Sequence, residues 1–423
     1  MGSLFISLAL TVTTQTAPID AQRASAYFKE FESLSSLEGG KLWGKPFYGA
    51  LLFVDPATKT VVANQADAGH VLTQQGDVFV GKLPDDTSIA NTTFKWSGTE
   101  WAMVMWPAPQ SYTDRMLMMV HESFHRLQPS LGFNVQEEPC GHLEGLQGRY
   151  WMQLEWRALA KALRTPDASR DGFIRDALLF RKMRYQDSPD AERKEEELER
   201  LEGMAEYSGV KLRGTSDAES RDYQAKRLEE AVLHTPNMTR GFAYMTGPAY
   251  GLLLDEAGAN WRADATKPVN FMDRLAQAAH IDLSDGKAEV EAKKYDAGPV
   301  MQAEQAREAE FKKLSAAYEK LLVSGPVLEL PMVGWHVSFN PQKVVQLGNH
   351  GTVYPVLTLI ADWGTLTVDK AALIGPSWSK TFVPLPVKSS DSQLSGDGWK
   401  IVLKPGWKTM DGDRKGDLRL VKA

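Results

Sequence analysis

The sequence contains a single cysteine, Cys140, among its 423 residues, and this scarcity excludes two kinds of stabilising centre. One thiol cannot form an intrachain disulfide, and it cannot supply the several thiolates of a cysteine-rich zinc site. Cys140 is itself expected to be a small buried residue.

An excess of positive charge and long apolar segments are also missing. The formal net charge of −6, the pI near 5.8 and the absence of a basic run argue against a nucleic-acid partner. Beyond the N-terminus no apolar stretch approaches the length of a membrane span, so none is predicted. The content of 43% hydrophobic and 24% charged residues is typical of a soluble globular protein, and the length is enough for two or three domains.

The first 22 residues predict an export segment. A short apolar run from Leu4 to Thr13 is followed by two candidate cleavage positions, after Ala17 and after Ala21. No positively charged residue precedes the run, so the alternative is an N-terminal strand or helix of a cytoplasmic domain. If the segment directs export, the protein is expected to be secreted or periplasmic.

The motif that organises the chain is His121-Glu122-Ser-Phe-His125. Residues four apart lie on the same face of a helix, so the two histidines can hold one metal ion while Glu122 leans toward a water molecule. Zinc suits imidazole ligands, and a catalytic zinc site keeps one position open. The spacing predicts a helix over residues 112–128, which begins at a capping serine, Ser111, and stops at Pro129.

Apolar residues cover most of this predicted helix, which favours a buried position. Two histidines and a glutamate in a buried helix need polar partners, and a metal ion supplies them. The alternative is that both histidines are core residues that bind other side chains. The apolar positions are Met116, Leu117, Met119, Val120, Phe124 and Leu127.

The flanking regions predict an α+β protein with three parts. Residues 23–110 form a mixed region with a helix over 24–36 and strands over 48–54, 60–63, 77–80, 93–96 and 101–106. The last of these strands directly precedes the histidine helix and is expected to border the cleft and pair with an extended substrate, unless it is an ordinary sheet strand.

Residues 111–324 are predicted to be a helical, zincin-like catalytic core, and residues 325–423 an all-β sandwich or barrel. The helices are expected over 143–164, 171–185, 191–212, 218–234 and 301–322. The charged run 192–200 is interpreted as a solvated face with pairs such as Glu196–Arg200. The β part has a packing role or, alternatively, a role in binding substrate.

Two glutamates compete to be the third metal ligand, because a catalytic zinc usually has three protein ligands. Glu144 follows His125 after 18 residues, and Glu202 follows it at a separation of 77. Glu202 lies in line with apolar positions of its helix, and Glu206, one turn on, can accept the free ring N–H of a ligand histidine. These features favour Glu202, whereas Glu144 can be explained as a carboxylate at a helix N-terminus.

The two motifs together resemble those of the gluzincin metallopeptidases. His121-Glu122-x-x-His125 is followed by a later helix that reads Glu202-Gly-Met-Ala-Glu-Tyr207, similar to the third-ligand helix of that family. The resemblance implies a zinc-dependent hydrolase of peptide bonds that acts on a peptide or protein. Glu144 has the spacing that is usual in the family, so both glutamates stay open.

The predicted mechanism uses Glu122 as the general base, which takes a proton from water and delivers it to the leaving amine. Tyr244 and Tyr250 are candidate donors to the oxyanion, and Tyr250 is expected to begin a helix after Pro248. Aromatic core packing is the alternative for both tyrosines. The alternatives for the whole chain are an inactive binding or scaffold protein that retains the motif and a zinc hydrolase of a non-peptide bond.

Overall fold

The structure is a computed structural model that describes residues 19–423 except 85, 86, 88, 167, 187, 235–237, 268, 269 and 340–343. Residues 1–18 of the predicted export segment lie outside the described residues. The chain forms two compact units, residues 1–300 and residues 301–423, and each is described by itself. The elements confirm the α+β class, because a sheet, a helical region and a strand-rich region follow one another.

The first unit begins with helix α1 and a six-stranded sheet. Asp20 caps α1 through its side chain, and the first two strands form the predicted hairpin around Asp55. The strand order is β3-β4-β2-β1-β6-β5, and only β1 and β6 are parallel. The elements are α1 (Ala21–Glu38), β1 (Leu51–Val54), β2 (Thr60–Ala63), β3 (Thr73–Gln75), β4 (Val78–Lys82), β5 (Thr92–Trp96) and β6 (Thr99–Met105).

Strand β6 is not the strand at the edge of this sheet. It is hydrogen bonded on both sides, to β1 in parallel and to β5 in antiparallel orientation, so it has no free side for a substrate. The prediction that this strand pairs with an extended ligand was wrong for that reason. Strand β5 is the edge strand instead, and it directly precedes β6 in the chain.

Eleven α-helical segments follow in the described part of the chain, beginning with the histidine helix α2. Ten of them lie wholly within the first unit, namely α2 (Tyr112–Leu131), α3 (Leu146–Arg164), α4 (Arg170–Tyr185), α5 (Ala191–Leu198), α6 (Met204–Leu212), α7 (Asp217–His234), α8 (Met238–Gly241), α9 (Ala243–Glu256), α10 (Phe271–Ala278) and α11 (Ala288–Glu291). Helix α12 (Ala297–Glu319) begins in the first unit and continues into the second.

Helix α2 begins as predicted and ends later than predicted. The side chain of Ser111 accepts a hydrogen bond from the Asp114 amide, as a capping residue does. Pro129 lies inside the helix rather than after it, because a proline in the last turn removes only one N–H from the ladder. The helix ends at Gly132, whose φ of 93° is the left-handed conformation that glycine adopts readily.

The predicted helix over 143–164 is divided in two. A 3-10 turn spans Gly141–Glu144, and Gly145 is extended (φ −80°, ψ 161°), so α3 starts only at Leu146. Glu144 therefore belongs to the turn and not to the first turn of an α-helix. His142, also in the turn, contacts the buried carboxylate of Glu195 at 2.6 Å.

The predicted helix over 191–212 is continuous but contains a π-helical turn, Glu199–Gly203, between α5 and α6. Its charged run is not a solvated face, because Glu195 and Glu199 are fully buried. Arg184 binds Glu195, and Arg181 binds Glu199, which compensates the cost of burying the four charges.

The predicted pair between Glu196 and Arg200 does not form. Arg200 donates instead to the backbone carbonyls of Ala265 and Thr266. Two backbone carbonyl groups thereby obtain a charged donor, and the Arg200 side chain is buried.

The second unit contains two antiparallel-rich sheets that pack on one hydrophobic core. Buried side chains of both sheets, such as Leu328 and Ile374 of one and Leu366 and Ile401 of the other, belong to a single cluster. The unit is therefore a sandwich rather than a barrel. The sheet orders are β18-β19-β7-β14-β13-β10-β9 and β15-β16-β17-β12-β11-β8.

The strands of the second unit are short, from two to five residues. They are β7 (Val327–Pro331), β8 (His336–Phe339), β9 (Val345–Gln346), β10 (Thr352–Tyr354), β11 (Leu357–Ala361), β12 (Gly364–Val368), β13 (Ala372–Ile374), β14 (Lys380–Pro384), β15 (Lys388–Ser390), β16 (Gln393–Gly396), β17 (Trp399–Leu403), β18 (Trp407–Asp411) and β19 (Leu418–Lys422). Within the described part of the chain, no helix has the length and apolar character that crossing a membrane requires.

Candidate metal centre

Helix α2 and the π-helical turn bring three potential ligand atoms together. The Nε2 atoms of His121 and His125 are 3.0 Å apart. Oε2 of Glu202 lies 3.6 Å from Nε2 of His121 and 3.5 Å from Nε2 of His125. The three atoms therefore form a nearly equilateral triangle. Glu202 reaches this position although it follows His125 by 77 positions in the sequence.

The size of this triangle matches one face of a zinc coordination tetrahedron. Bonds of about 2.0–2.1 Å at tetrahedral angles separate two ligand atoms by about 3.3–3.4 Å. The three observed separations fall on both sides of that value. Two imidazole nitrogens and one carboxylate oxygen are also a usual ligand set of catalytic zinc. The residues present therefore fit a zinc ion, and the fourth tetrahedral position is left to water or substrate.

The other nitrogen of each imidazole has its own acceptor, which decides the tautomer. Nδ1 of His121 donates to Oε2 of Glu206 at 2.7 Å, and Nδ1 of His125 donates to Oε1 of Gln128 at 2.8 Å. In the neutral imidazoles both Nε2 atoms then carry a lone pair. Two lone pairs 3.0 Å apart repel each other unless a proton or a metal ion lies between them, so this pair of histidines can hold a cation.

Gln128 was not among the predicted site residues, although it follows His125 by three positions on the same helix face. Its amide nitrogen donates to the backbone carbonyls of Arg200 (3.1 Å) and Leu201 (2.7 Å). Because both partners are acceptors, the nitrogen must face them and the oxygen must face His125. The π-helical turn that carries Glu202 thus also orients the second histidine.

Glu206 has the supporting position that the sequence predicted for it. Its Oε2 atom binds His121, and its Oε1 atom accepts from Arg227 at 2.7 Å. Burial raises the pKa of the Glu206 carboxyl, but Arg227 and His121 outweigh burial and lower that pKa to about 2. Glu206 is therefore an ionised acceptor that holds the His121 ring. Arg227, on the next helix, could not be identified from the sequence.

The electrostatics of the triad favour a cation between its members. Burial alone lowers the pKa of His121, whereas the carboxylates of Glu202 and Glu206 raise it to about 10. Burial likewise raises the pKa of Glu202, yet the two histidines and Tyr244 hold it far below its ordinary value. A buried histidine that retains a proton so strongly lies in a strongly negative potential, which also attracts a metal ion.

The π-helical turn positions Glu202 through a close helix–helix contact. Gly203 packs against Gly247 of α9 so closely that a Cβ at Gly247 would lie 2.3 Å from the Gly203 Cα. On the other side, a Cβ at Gly209 would lie 2.7 Å from the carbonyl oxygen of Leu117 in α2. Small residues on both faces allow the ligand helix to approach its neighbours, and π-helical turns recur at functional sites.

Glu122 is buried beside the histidines and leaves one carboxylate oxygen unsatisfied. Its side chain is 6% exposed, and Oε2 has no hydrogen-bond partner among the described residues. Burial raises the pKa of Glu122, and His121 and His125 counteract this increase only in part. A carboxylate with a raised pKa and a free oxygen is suited to accept a proton from a water molecule.

The structure brings Tyr244 to the centre but not Tyr250. The Tyr244 hydroxyl donates to Oε2 of Glu202 at 2.5 Å, and its ring stacks on His121 at 5.6 Å between centroids. The Tyr250 hydroxyl donates to the buried Glu155 at 2.7 Å. The prediction that Tyr250 begins a helix was wrong, because α9 starts at Ala243 and contains Pro248 in its interior.

The structure brings Glu202, and not Glu144, to the histidines. Glu144 is exposed in the 3-10 turn and is not part of the three-residue cluster. Cys140 is buried as expected, and burial raises the pKa of its thiol. The site thus consists of the two helix positions of the motif and one distant glutamate.

No family profile, curated protein or solved structure matches this chain.

A cavity of about 370 Å³ opens onto the triad. Its lining includes the start of the edge strand β5 and the side chains of Arg240 and Tyr244. Asn91 is fixed at the end of β5 because its side-chain oxygen accepts from the Met105 amide at 2.8 Å. Besides the site residues already described, the cavity is lined by Asn91, Thr92, Thr93, Pro129, Phe133, Val135, Leu201 and Arg240.

Proposed function

We propose that the protein is a zinc-dependent peptide hydrolase of the gluzincin type. The observation that carries the proposal is the triangle of two imidazole nitrogens and one carboxylate oxygen, next to a buried glutamate that lines the same cavity. Structural zinc sites usually have four protein ligands, whereas three protein ligands beside a cavity are typical of catalytic zinc sites. The resemblance of both sequence motifs to those of gluzincins supports the same activity.

His121, His125 and Glu202 would hold the ion. A bound zinc ion supplies a lowered water pKa, to about 7, and polarises a substrate carbonyl group. Glu206 and Gln128 keep both imidazole rings oriented with Nε2 toward the cavity. These supporting contacts reduce the reorganisation that binding and catalysis would otherwise require.

Glu122 is the proposed general base. Its carboxylate lines the cavity and can accept a proton from water as the water oxygen attacks the scissile carbonyl. Its raised pKa then allows the same carboxyl group to give that proton to the nitrogen of the departing amine. The peptide C–N bond breaks in this step, and the products are a carboxylic acid and an amine.

Tyr244 is the proposed donor to the oxyanion. Its hydroxyl already lies at the centre, where it donates to Glu202. Because the pKa of Tyr244 is raised, chiefly by burial and then by Glu202, the hydroxyl keeps its proton and remains a donor. A preorganised donor at this position can stabilise the negative charge that develops on the carbonyl oxygen.

Strand β5 offers a binding surface for an extended peptide. It is an edge strand, and its first residues line the same cavity as the triad. A peptide that adds to this edge would pair its backbone with β5 and bring one of its carbonyl groups toward the histidines. Main-chain pairing requires an extended chain, which favours a peptide over a compact non-peptide substrate.

Digestion of a mixed peptide library, followed by mass spectrometry, tests this proposal. The zinc-loaded protein is expected to cleave peptides, and zinc-loaded Glu122→Gln is expected to retain the metal but lose cleavage by a factor of about 10² or more. A zinc-loaded protein that cleaves no peptide would contradict the proposal and favour a binding or scaffold role, or a non-peptide substrate. Equal cleavage by both proteins would show that Glu122 is not the base.

A further inference from the structure

Arg240 is the one arginine or lysine among the cavity-lining residues that the structure describes. It lies in the short helix α8, and half of its side chain is exposed (50%). Nη2 donates to Oε1 of Glu202 at 2.7 Å, so Oε2 of that carboxylate stays available to the metal site. Nε and Nη2 also contact Glu137, at 2.8 and 3.3 Å. Two carboxylates thus fix the guanidinium beside the candidate metal centre.

One nitrogen of this guanidinium is left without a partner. All described hydrogen bonds of Arg240 use Nε and Nη2, and none of the described residues accepts from Nη1. Arg240 lines the cavity, and half of its side chain is exposed. The N–H groups of Nη1 are therefore the donors of this guanidinium that no described residue uses.

A divalent ion on the triad would give the cavity lining a positive charge. The ionisable lining residues other than histidines are Glu122, Glu202 and Arg240, which together carry one net negative charge. A divalent cation on the triad, with both histidines neutral as ligands, leaves one net positive charge. Glu137 lies outside the lining, contacts Arg240 at 2.8 Å and offsets part of this charge. The ion and Arg240 together can therefore attract a ligand with one anionic group.

We propose that Arg240 is a specificity-determining residue that binds a carboxylate of the peptide substrate through Nη1. This inference rests on the proposed peptide hydrolysis. A guanidinium presents its N–H groups in a plane that matches the two oxygens of a carboxylate, and such charge-assisted bonds are stronger than neutral ones. The carboxylate could be the C-terminus of the peptide or an acidic side chain next to the scissile bond.

The contact with Glu202 restricts where this carboxylate lies in the substrate. Arg240 and the proposed ion both contact the carboxylate of Glu202, Arg240 through Oε1 and the ion through Oε2. A substrate carboxylate on Arg240 is consequently close to the scissile carbonyl group. We therefore expect the protein to act near the C-terminus of a peptide or beside an acidic residue, and to discriminate against peptides that lack both.

Calorimetric binding to the zinc-loaded Glu122→Gln protein tests this proposal without turnover. The probes are pools of N-acetylated tripeptides in three forms, namely free acids, C-terminal amides, and amides with glutamate in place of glutamine. One of the two carboxylate-bearing pools is expected to bind about tenfold or more tightly than the neutral amides, the strength expected of a hydrogen bond to a charged group. The form that is preferred identifies the source of the carboxylate.

The decisive comparison adds Arg240→Gln to the same background. In Arg240→Gln the carboxylate pool should bind about as tightly as the neutral amides. In Arg193→Gln the carboxylate pool should still bind more tightly than the neutral amides. Arg193 is a matched control, because it is 47% exposed and binds the neighbouring Glu138 at 2.6 and 3.0 Å, yet it does not line the cavity. The preference is a ratio within one protein, so a loss of stability in a variant does not imitate the effect. The zinc content of each variant is measured as well, because a zinc ion can itself bind a carboxylate.

The outcomes separate the two proposals. A carboxylate preference that persists in Arg240→Gln, or tight binding of all three pools without preference, would overturn the role of Arg240 and leave peptide hydrolysis intact. Failure of every pool to bind the zinc-loaded protein would overturn the carboxylate site, and library digestion by the protein with native Glu122 would then show separately whether peptide hydrolysis fails as well.

Discussion

Glu196 is a single side chain that makes the stability of this protein depend on pH. It is partly buried on α5, and its Oε1 atom is buried without a hydrogen-bond partner among the described residues. Burial, followed by the nearby Glu199, raises the pKa of Glu196 from 4.5 to about 7. The unfolded chain therefore loses the Glu196 proton at a lower pH than the folded chain, so the folded state gains stability by holding that proton more tightly. This gain in the free energy of unfolding is complete below pH 4.5 and is lost as the pH rises through about 7.

The substitution Glu196→Gln should abolish this pH dependence. Above pH 7 the variant is expected to be more stable than the parent protein by about 1 kcal/mol, a value reduced from the full shift because the side chain is partly exposed. Urea unfolding at several pH values measures the difference. The comparison below pH 4.5 is the internal control, where the two proteins should differ little. A gain of equal size at both pH extremes would refute the assignment.

At the scale of single residues, the sequence predicted those residues whose roles follow from local spacing. The two histidines and Glu122 are fixed by one helical turn, and Glu206 is one turn from Glu202. Gln128, Arg227 and Arg240 were missed, because their contacts arise between helices that are distant in sequence. Such contacts depend on helix packing, which the period of a single helix does not specify.

At the scale of elements, the contact between the π-helical turn and α9 is the most sensitive part of the site. A Cβ at Gly247 would lie 2.3 Å from the Cα and 2.8 Å from the carbonyl oxygen of Gly203, and both atoms belong to the backbone. A flexible side chain could move aside, but two helix backbones must separate. The geometry of Glu202 depends on this separation.

The substitution Gly247→Ala is expected to lower the free energy of unfolding by about 1–3 kcal/mol, the usual cost of overpacking, and to weaken zinc binding. Urea unfolding and competition with a chelator measure the two effects. Gly172→Ala is the matched control, because Gly172 lies in helix α4 with no atom within 4 Å of its added Cβ, so stability should be unchanged or slightly higher. If Gly247→Ala is as stable as the parent protein, the close contact does not exist.

The helices were predicted better than the turns and short strands. Helices α2, α4 and α7 follow the 3.6-residue period and match the predicted ranges to within a few residues. The π-helical turn was missed because it inserts one residue without changing the apolar character of the helix. Strands of two or three residues, such as β3 and β9, are too short to show an alternating pattern.

At the scale of the whole molecule, the candidate metal centre belongs entirely to the unit of residues 1–300. The second unit is a β-sandwich, and the alternation of buried and exposed residues in strands such as β11 and β12 explains why its strand-rich character could be predicted. The sequence left open the choice between sandwich and barrel, because the pairing order of short strands is set by contacts between distant segments.

The central claim is that His121, His125 and Glu202 hold one zinc ion. Anomalous diffraction at the zinc absorption edge tests it most directly, on crystals of protein purified without added metal and checked by elemental analysis. We expect one zinc per chain, at about 2.0–2.2 Å from Nε2 of both histidines and from Oε2 of Glu202. A folded protein without metal at this position, or a zinc ion bound by Glu144 instead of Glu202, would contradict it.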